Sequence, residues 1–357
     1  MKNIFVTGIF RSGTSLLSTA LNTHKDILVC WQPYWLFFKA CRNKFFKDVL
    51  KREFDADCPM GMLQLDGPEE RRLFLELFEK VAFNRAELDA LVSKIKEYLS
   101  HDEAINKRMK PFALVSQLDG LDPGDAGYIL SQLMERLRLC SAGKEDVKWV
   151  GIKEPFCDGY IGPILNYKGL EPVILHIIRD PRSVLASRNY GKYMETTKGR
   201  YPVFLIIRAW RKAVESYILN QGKKNYMMLR YEDLVERPGE IFKEICGILQ
   251  VQFSEDILDP GRYKDSKGWQ WEQNSSFEVS GDISTSSVNK WQEVLSTDEI
   301  ELVEYFCQSE MEYLRYKAKT GDLGPKKIAG FNEAKEAITP WLRNYDFSYK
   351  APQPCLD

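Results

Sequence analysis

The sequence predicts an α/β fold in which a doubly wound parallel sheet is flanked by helices and carries an all-helical insertion. Strand-like and helical segments alternate at the start and in the middle of the chain, which is typical of a parallel sheet. The run at residues 173–178 is apolar without alternation, as expected for a central strand covered on both faces. Residues 68–142 show only helical periodicity, which predicts the insertion.

The first element is a strand that leads into a helix. Residues 2–7 contain the short apolar run Ile4-Phe5-Val6, which predicts a buried strand ending before Gly8. After Gly13, apolar residues recur at helical spacing as far as Leu21. The chain therefore starts as a strand, a glycine-containing loop and a helix.

The insertion follows a second short strand, predicted at residues 27–30, and an aromatic segment from Trp31 to Phe38. We place the insertion at about 40–146, because helical patterns then continue without a strand signal. A chain of 357 residues can bury one large core, so we expect a single domain over residues 1–357.

Strands return after the insertion. The runs at 149–152, 173–178 and 226–230 are bounded by charged residues, glycine or proline. Pro181 opens a helix after the second run, and a longer helix is predicted at about 200–220. This alternation completes the doubly wound sheet.

The C-terminal third combines a loop with a helix. Residues 262–290 are rich in serine, glycine, aspartate and lysine and lack periodicity, which predicts a mobile loop able to close over a site. Ser296 and Glu299 have capping-box spacing before an amphipathic helix. The tail at about 317–357 has no pattern that assigns its structure.

The composition limits the classes of partner. Lysine plus arginine number 50 against 51 for aspartate plus glutamate, so no global basic field favours nucleic acid or an anionic membrane. The eight cysteines form neither C-x-x-C pairs nor zinc spacings, and no apolar run approaches the roughly 18 residues that span a bilayer. We expect a cytoplasmic protein without metal, nucleic acid or membrane span, and the oligomeric state stays open.

The loop after the first strand has the spacing of a phosphate-binding loop. Gly8 and Gly13 are separated by four residues, as in G-x-x-x-x-G-K-[ST], and lie between a strand and a helix as that motif requires. Glycines let backbone N–H groups and a helix N-terminus converge on an anion. This favours a P-loop-like, nucleotide-binding fold; an ordinary strand-to-helix turn is the alternative.

The loop lacks the lysine of that motif, because Thr14 stands in its place. That lysine reaches the β- and γ-phosphates of a nucleoside triphosphate, so the loop is poorly suited to ATP. Arg11 places a guanidinium inside the loop instead, where it can bridge a phosphate and a group attached to it. A phosphate–sulfate anhydride fits this arrangement.

A second cationic segment follows the central strand. Arg179 stands at the strand end, Arg182 follows it, and Ser187 lies on the next helix. Ligands of open α/β sheets bind beyond the carboxyl ends of the strands, so Arg179 and the first loop should face one crevice. Helix-start solvation or an internal ion pair is the alternative for the two arginines.

With both segments in this order, the chain resembles the sulfotransferases that use 3′-phosphoadenosine 5′-phosphosulfate (PAPS), in particular the carbohydrate and tyrosylprotein branches and their bacterial relatives. Their first loop looks like G-x-x-R-S-G-T-[ST], which residues 8–15 match. The resemblance implies a P-loop-like fold and PAPS as the donor, released as 3′,5′-ADP without a metal. It also implies transfer of the sulfuryl group to a hydroxyl or amine of an unidentified acceptor, such as a carbohydrate or small metabolite.

The resemblance also assigns donor-binding residues. The 5′-phosphosulfate would be bound by the residues of the first loop: Arg11, Ser12, Gly13, Thr14 and Ser15. The 3′-phosphate would be bound by Arg179 and Ser187. Tyr231, the first residue of a Y-E-D-L segment, would lie against the adenine, and Ser286 would belong to a closing loop that ends at Trp291.

The catalytic residues follow from the same resemblance, with one departure. Lys153, before an acidic residue and a proline, is similar to the family's catalytic lysine and would act with Arg11 on the leaving group. The family's glutamate base is matched by Gln32, an amide that cannot take a proton near neutral pH. Glu154 is therefore the candidate base; a charge partner of Lys153 or Arg11 is the alternative.

The sequence leaves the roles of several aromatic residues and of one histidine open, and it allows two rival functions. Trp31, Tyr34 and Trp35 either stack on the acceptor or pack the insertion against the sheet. His24 and His176 are expected to be structural, and His101 has no assigned role. A small-molecule kinase and a non-catalytic nucleotide-binding protein are the rival functions.

Overall fold

A computed structural model describes residues 2–54, 65, 67–101, 111–140, 147–155, 157–187, 200–265, 269–271, 283–321, 323–324, 327 and 330. Five parallel strands of this part of the chain form one sheet flanked by helices, which confirms the predicted α/β fold. In chain order the strands are β1 (Lys2–Thr7), β2 (Ile27–Trp31), β3 (Ala82–Phe83), β4 (Gly124–Asp125), β5 (Trp149–Lys153), β6 (Glu171–Ile178) and β7 (Tyr226–Arg230).

The strand order in the large sheet is β2-β5-β1-β6-β7. In the middle of the sheet, Val6 of β1 is paired with Lys153 of β5 on one side and with Leu175 of β6 on the other. The connections run to opposite sides of β1, so the strand order reverses there. A ligand-binding crevice is expected beyond the carboxyl ends of these three central strands.

Helices are present in each segment where the sequence predicts them, and others, such as the helix at Pro238–Leu249, were not predicted. In chain order they are α1 (Thr14–Leu21), α2 (Trp35–Lys44), α3 (Pro68–Leu75), α4 (Leu77–Lys80), α5 (Arg85–His101), α6 (Pro111–Gln117), α7 (Ala126–Leu139), α8 (Ile161–Asn166), α9 (Pro181–Ala186), α10 (Val203–Asn220), α11 (Tyr231–Glu236), α12 (Pro238–Leu249), α13 (Trp291–Val294) and α14 (Thr297–Tyr313). The capping box at the start of α14 is present, since Ser296 and Glu299 bond each other's backbone N–H reciprocally.

The two faces of the sheet pack against different parts of the chain. On one face, Phe5 and Ile152 join the core of the insertion, including Phe78 and Leu133. The opposite face packs against residues of α1 and α12. Both faces of the central strands are therefore buried, as predicted from the apolar residues on both faces of β6.

The insertion differs from the prediction because it is not purely helical. Strands β3 and β4 form a short antiparallel pair, with Ala82 opposite Asp125 and Phe83 opposite Gly124. A π-helical turn at Phe45–Val49 also extends α2. Two-residue strands are too short to produce a period-two pattern in the sequence, which is why helical periodicity alone did not reveal them.

The predicted loop at 262–290 is described only in part. Lys264 and Gln270 form an isolated antiparallel bridge, and Thr285–Ser287 forms a 3₁₀ turn. The rest of that prediction, at 266–268 and 272–282, lies outside the described residues. None of the described helices is long and apolar enough to cross a membrane.

Candidate active site

The loop after β1, residues 8–15 (the phosphate loop), turns at two glycines that no other residue can replace. Gly8 has φ +146° and Gly13 has φ +103°. A Cβ atom on Gly8 would lie 2.3 Å from the carbonyl oxygen of Ile177, and one on Gly13 would lie 2.4 Å from the ring of Tyr231. Glycine is needed for both the conformation and the close approach. The loop is thereby held against the end of β6 and the start of α11.

The phosphate loop presents a helix N-terminus to the crevice. Helix α1 begins at Thr14 without a side-chain cap, so its first N–H groups are available to an anion. The Ser12 hydroxyl donates to the carbonyl oxygen of Ile9 at 2.5 Å, which fixes the loop internally. Arg11 has φ +67°, an uncommon conformation for a residue other than glycine and one found often at functional turns.

Arg179 connects the phosphate loop with the second predicted segment. Its Nη1 donates to the carbonyl oxygen of Arg11 at 3.2 Å, and its Nη2 donates to that of Ser287 at 2.9 Å. Its Nε is buried and has no hydrogen-bond partner among the described residues. A buried donor without an acceptor is costly, so this atom is suited to a phosphate oxygen. Arg179 and the phosphate loop therefore face one crevice, as the sequence predicts.

Tyr231 lies between these two segments. Its ring packs against Gly13 and stands 4.2 Å from the guanidinium carbon of Arg179. Its hydroxyl is 2.9 Å from the Oγ of Ser287, whereas the predicted Ser286 is exposed and bonds to Ser284. Sequence reasoning passed over Ser287 because adjacent serines give no signal that separates them.

The rest of the second segment is buried beside Arg179. Ser187 is the C-cap that follows α9 and does not lie on the helix as predicted; its hydroxyl donates to the carbonyl oxygen of Ser183 at 2.9 Å. Arg182 forms ion pairs with Asp180 at 2.6 Å and with Glu304 at 2.5 Å. The internal ion pair, weighed above as an alternative, therefore applies to Arg182 but does not describe the contacts of Arg179.

Two further aromatic residues, which the sequence did not single out, support the arginines of the site. Trp210 donates its indole N–H to the carbonyl oxygen of Arg179 at 2.8 Å. Tyr201 stacks on Phe10 with ring centres 3.8 Å apart. Burial raises the pKa of Tyr201, and the charge of the nearby Arg11 opposes that rise.

Lys153 ends β5 at the same edge of the sheet. The side chain is almost fully buried, and its Nζ lies 4.7 Å from the ring centre of Trp31 on β2. Gln32 donates its backbone N–H to the carbonyl oxygen of Lys153 at 2.8 Å and has φ +48°. A strained backbone thus occurs at the end of β2 as well as at Arg11.

Glu154 is the most perturbed carboxyl of the site. Its Oε1 accepts the backbone N–H of Tyr34 at 2.7 Å, and its Oε2 is buried without a partner among the described residues. Burial raises the pKa of Glu154 to about 8, against the opposing effects of the Tyr34 N–H and the Lys153 charge. The carboxyl is therefore mostly protonated at pH 7 and can exchange a proton in a physiological range.

The aromatic segment and two of the histidines serve packing. Trp31 and Tyr34 are buried, and the Tyr34 hydroxyl donates to the carbonyl oxygen of Leu133 in the insertion at 2.7 Å. His24 bonds to the backbone of Gln252, and His176 bonds to the Tyr226 hydroxyl, each at 2.8 Å. The packing interpretation therefore holds for these aromatic side chains. The side chain of His101 lies outside the described residues.

Comparisons with known proteins identify the family of the chain. The model of a sulfotransferase family matches residues 3–255. Carbohydrate sulfotransferase 7 of Rattus norvegicus is 22% identical over 386 residues, which cover 90% of this chain and 75% of that protein. Carbohydrate sulfotransferase 1 of Homo sapiens is 27% identical over 184 residues, which cover 43% of this chain and 40% of that protein.

A solved structure, the sulfotransferase domain from the curacin biosynthetic pathway, is similar with a TM-score of 0.47 and 16% identity. The match covers 88% of this chain and 97% of that domain. The family match carries the assignment, because it extends over more than two thirds of the chain and includes the phosphate loop, Lys153 and Arg179. The chain belongs to the sulfotransferase family and is a PAPS-dependent sulfotransferase.

Proposed function

We propose that the phosphate loop, Arg179 and the end of β5 form the centre that moves the sulfuryl group of PAPS to a hydroxyl or amine of the acceptor. The observation that carries the proposal is Arg179, which reaches the phosphate loop, the closing loop and Tyr231 and keeps its Nε without a partner among the described residues. A ligand with two anionic groups joined through an adenosine fits this arrangement.

Donor binding is divided between the two segments. Backbone N–H groups at the start of α1, together with Ser12, Gly13, Thr14 and Ser15, hold the 5′-phosphosulfate. Arg179 and Ser187 hold the 3′-phosphate, and Tyr231 holds the adenine. Ser286 acts with its neighbour Ser287 in the closing loop, and the contacts of Ser287 with Arg179 and Tyr231 support that role.

The chemical step needs a base and positive charge. PAPS supplies the sulfuryl group for an in-line displacement at sulfur. Glu154, once deprotonated, removes the proton of the attacking hydroxyl or amine, and its unpartnered, buried Oε2 supports this role. Lys153 and Arg11 stabilise the negative charge that grows on the leaving phosphate, in a site where burial strengthens electrostatic interactions.

The acceptor is a carbohydrate or a small metabolite. Two relatives bear the name carbohydrate sulfotransferase, which supports the first of these classes. Trp35, at the start of α2, is half-buried with its ring edge-on to Tyr98, and it is the aromatic side chain of the segment with surface left to contact an acceptor.

The cell compartment and domain organisation form part of the same proposal. The six cysteines within the described residues are free thiols, which supports a reducing cytoplasm. The insertion at about 40–146 shares its core with the sheet, which supports one domain over residues 1–357 with a tail at about 317–357.

The donor assignment is tested by thermal shift with 3′,5′-ADP, with ATP plus Mg²⁺, and with buffer alone. A ligand at about 100 times its Kd adds roughly 2.7 kcal/mol, so 3′,5′-ADP should raise Tm clearly. A shift with ATP plus Mg²⁺ alone would support the rival kinase. Acceptor screening with PAPS then separates an enzyme from a non-catalytic nucleotide-binding protein, which would bind 3′,5′-ADP and sulfate nothing.

A further inference from the structure

Arg182 lies at the centre of a buried ion cluster beside the donor site. Its guanidinium donates to both carboxylate oxygens of Asp180, at 3.0 and 2.6 Å, and to Glu304 of α14 at 2.5 Å. It also packs over the ring of Trp291, 4.0 Å from its centre. The three ionic side chains are each less than a tenth exposed. The cluster therefore joins the start of α9, the end of the closing loop and α14.

Glu304 also holds residues 315–320, here called the C-terminal strap. The backbone N–H groups of Lys319 and Thr320 donate to its two oxygens at 2.9 and 2.8 Å, and the Thr320 hydroxyl donates to it as well. Burial raises the pKa of Glu304, but these hydrogen bonds and the Arg182 contact outweigh burial and hold the pKa below its usual value. Glu304 is thus a charged group in the folded protein at neutral pH.

The strap has a second connection to the donor site. Tyr316 donates its hydroxyl to Glu232 at 2.9 Å, and the other oxygen of Glu232 accepts the backbone N–H of Asp180 at 3.0 Å. Asp180 and Glu232 directly follow Arg179 and Tyr231 in the chain. The strap and α14 therefore hold the backbone next to two of the proposed donor-binding residues.

We propose that Glu304 is a positioning residue for the donor: through Arg182 and Asp180 it holds Arg179 in the geometry that binds the 3′-phosphate. This inference rests on the proposed function. Buried ion pairs add little net stability over apolar packing, yet removing one partner leaves the other charge uncompensated. Loss of the Glu304 charge would therefore move Arg182 and the backbone beside it. The affinity for the 3′-phosphate would fall as a result.

Helix α14 offers a matched control. Glu310 forms an equally buried ion pair with Arg211 at 2.8 Å, but this pair joins α14 to α10 instead of α9. Glu304→Gln and Glu310→Gln remove the same charge from the same helix. A general loss of stability is expected from both substitutions, whereas a specific loss of 3′-phosphate binding is expected from Glu304→Gln alone.

The test is calorimetric titration of wild type and both variants with 3′,5′-ADP and with 5′-AMP, which lacks the 3′-phosphate. Glu304→Gln should weaken 3′,5′-ADP binding by about tenfold, or about 1.4 kcal/mol, because Arg179 loses its orientation, and should leave 5′-AMP binding within about twofold. Glu310→Gln should change neither. Equal weakening of both nucleotides, or equal effects of the two variants, would overturn the inference.

A milder variant keeps the test decisive if Glu304→Gln fails to fold. Thr320→Val removes one hydroxyl donor from Glu304 and should weaken 3′,5′-ADP binding by about two- to threefold, again without an effect on 5′-AMP. An unchanged affinity would contradict the inference. If the wild-type protein fails to bind 3′,5′-ADP, the proposed function and this inference are both wrong. If the wild-type protein binds 3′,5′-ADP and the variants bind it equally well, only the inference is wrong.

Discussion

Two successive residues at the end of β5 divide the proposed chemistry between charge and proton transfer. Lys153 lies over Trp31, and Glu154 accepts the backbone N–H of Tyr34. The two groups have different neighbours, because Trp31 ends β2 whereas Tyr34 directly precedes α2. Substituting either residue therefore removes a different contact, which makes their roles separable by experiment.

Lys153→Ala should abolish sulfuryl transfer while 3′,5′-ADP binding stays within about threefold of wild type, because the lysine acts mainly on charge that develops in the transition state. Transfer is measured with the acceptor found by screening, and binding by calorimetry. Lys148→Ala is the control, since Lys148 precedes the same strand but is exposed and paired with Asp26. Transfer near the wild-type rate in Lys153→Ala would refute the assignment.

Glu154→Gln should lower kcat/KM by about 10²- to 10⁴-fold, because an amide keeps the oxygen that accepts the Tyr34 N–H but cannot take a proton. The active form of the base is the carboxylate, and burial raises its pKa to about 8. Wild-type kcat/KM should therefore rise with pH from 6 and level off above about pH 8. The variant should lose this rise, and an unchanged pH profile would assign the base elsewhere.

The sequence predicted where Arg11, Lys153 and Arg179 lie in the fold, but it did not predict the residues that contact Arg179. Arg11, Lys153 and Arg179 stand in motifs with fixed spacing from a strand end, so their position in the fold can be predicted from their order in the sequence. Ser287 and Trp210 meet Arg179 only after distant helices and loops pack together, and no local spacing records that contact. Residues that position others through tertiary contacts are the ones a single sequence does not reveal.

At the scale of elements, the phosphate loop depends on a steric fit as well as on its conformation. Gly13→Ala should abolish detectable 3′,5′-ADP binding, since the added Cβ would lie 2.4 Å from the Tyr231 ring at φ +103°. Gly120→Ala is the matched control, because Gly120 also has a positive φ, of +68°, but nothing lies within 4 Å of its Cβ position. The control should lose about 1 kcal/mol of stability and keep normal binding. Equal binding by the two variants would show that the steric fit at Gly13 is not needed for donor binding.

The elements that the sequence predicted correctly are those with a sustained period. Helix α14 repeats one pattern over many residues, and β6 is a mainly apolar strand of eight residues. The β3–β4 pair has two residues in each strand, and the π-helical turn at Phe45–Val49 is held by local packing of Phe45 and Phe46 in the insertion core. Neither is long enough to impose a period on the sequence.

At the scale of the whole molecule, the insertion and the sheet share one hydrophobic core. Phe5, Ile152 and Ile174 of the sheet belong to the same buried cluster as Phe78 and Leu133 of the insertion. An insertion that folded as a separate domain would bury its own apolar surface and leave this face of the sheet to another layer. The shared cluster instead makes the stability of each part depend on the other.

Urea unfolding should therefore show one transition, with the same midpoint by tryptophan fluorescence and by far-ultraviolet circular dichroism. Saturating 3′,5′-ADP binds at the sheet edge, yet it should move the whole transition to higher urea, because the folded insertion cannot persist after its shared core is exposed. Phe78→Ala truncates a core side chain of the insertion, far along the chain from the donor residues. It should lower the midpoint of the same single transition by an amount equivalent to about 3–5 kcal/mol. Two transitions, of which only one responds to 3′,5′-ADP, would instead establish the insertion as an independent domain.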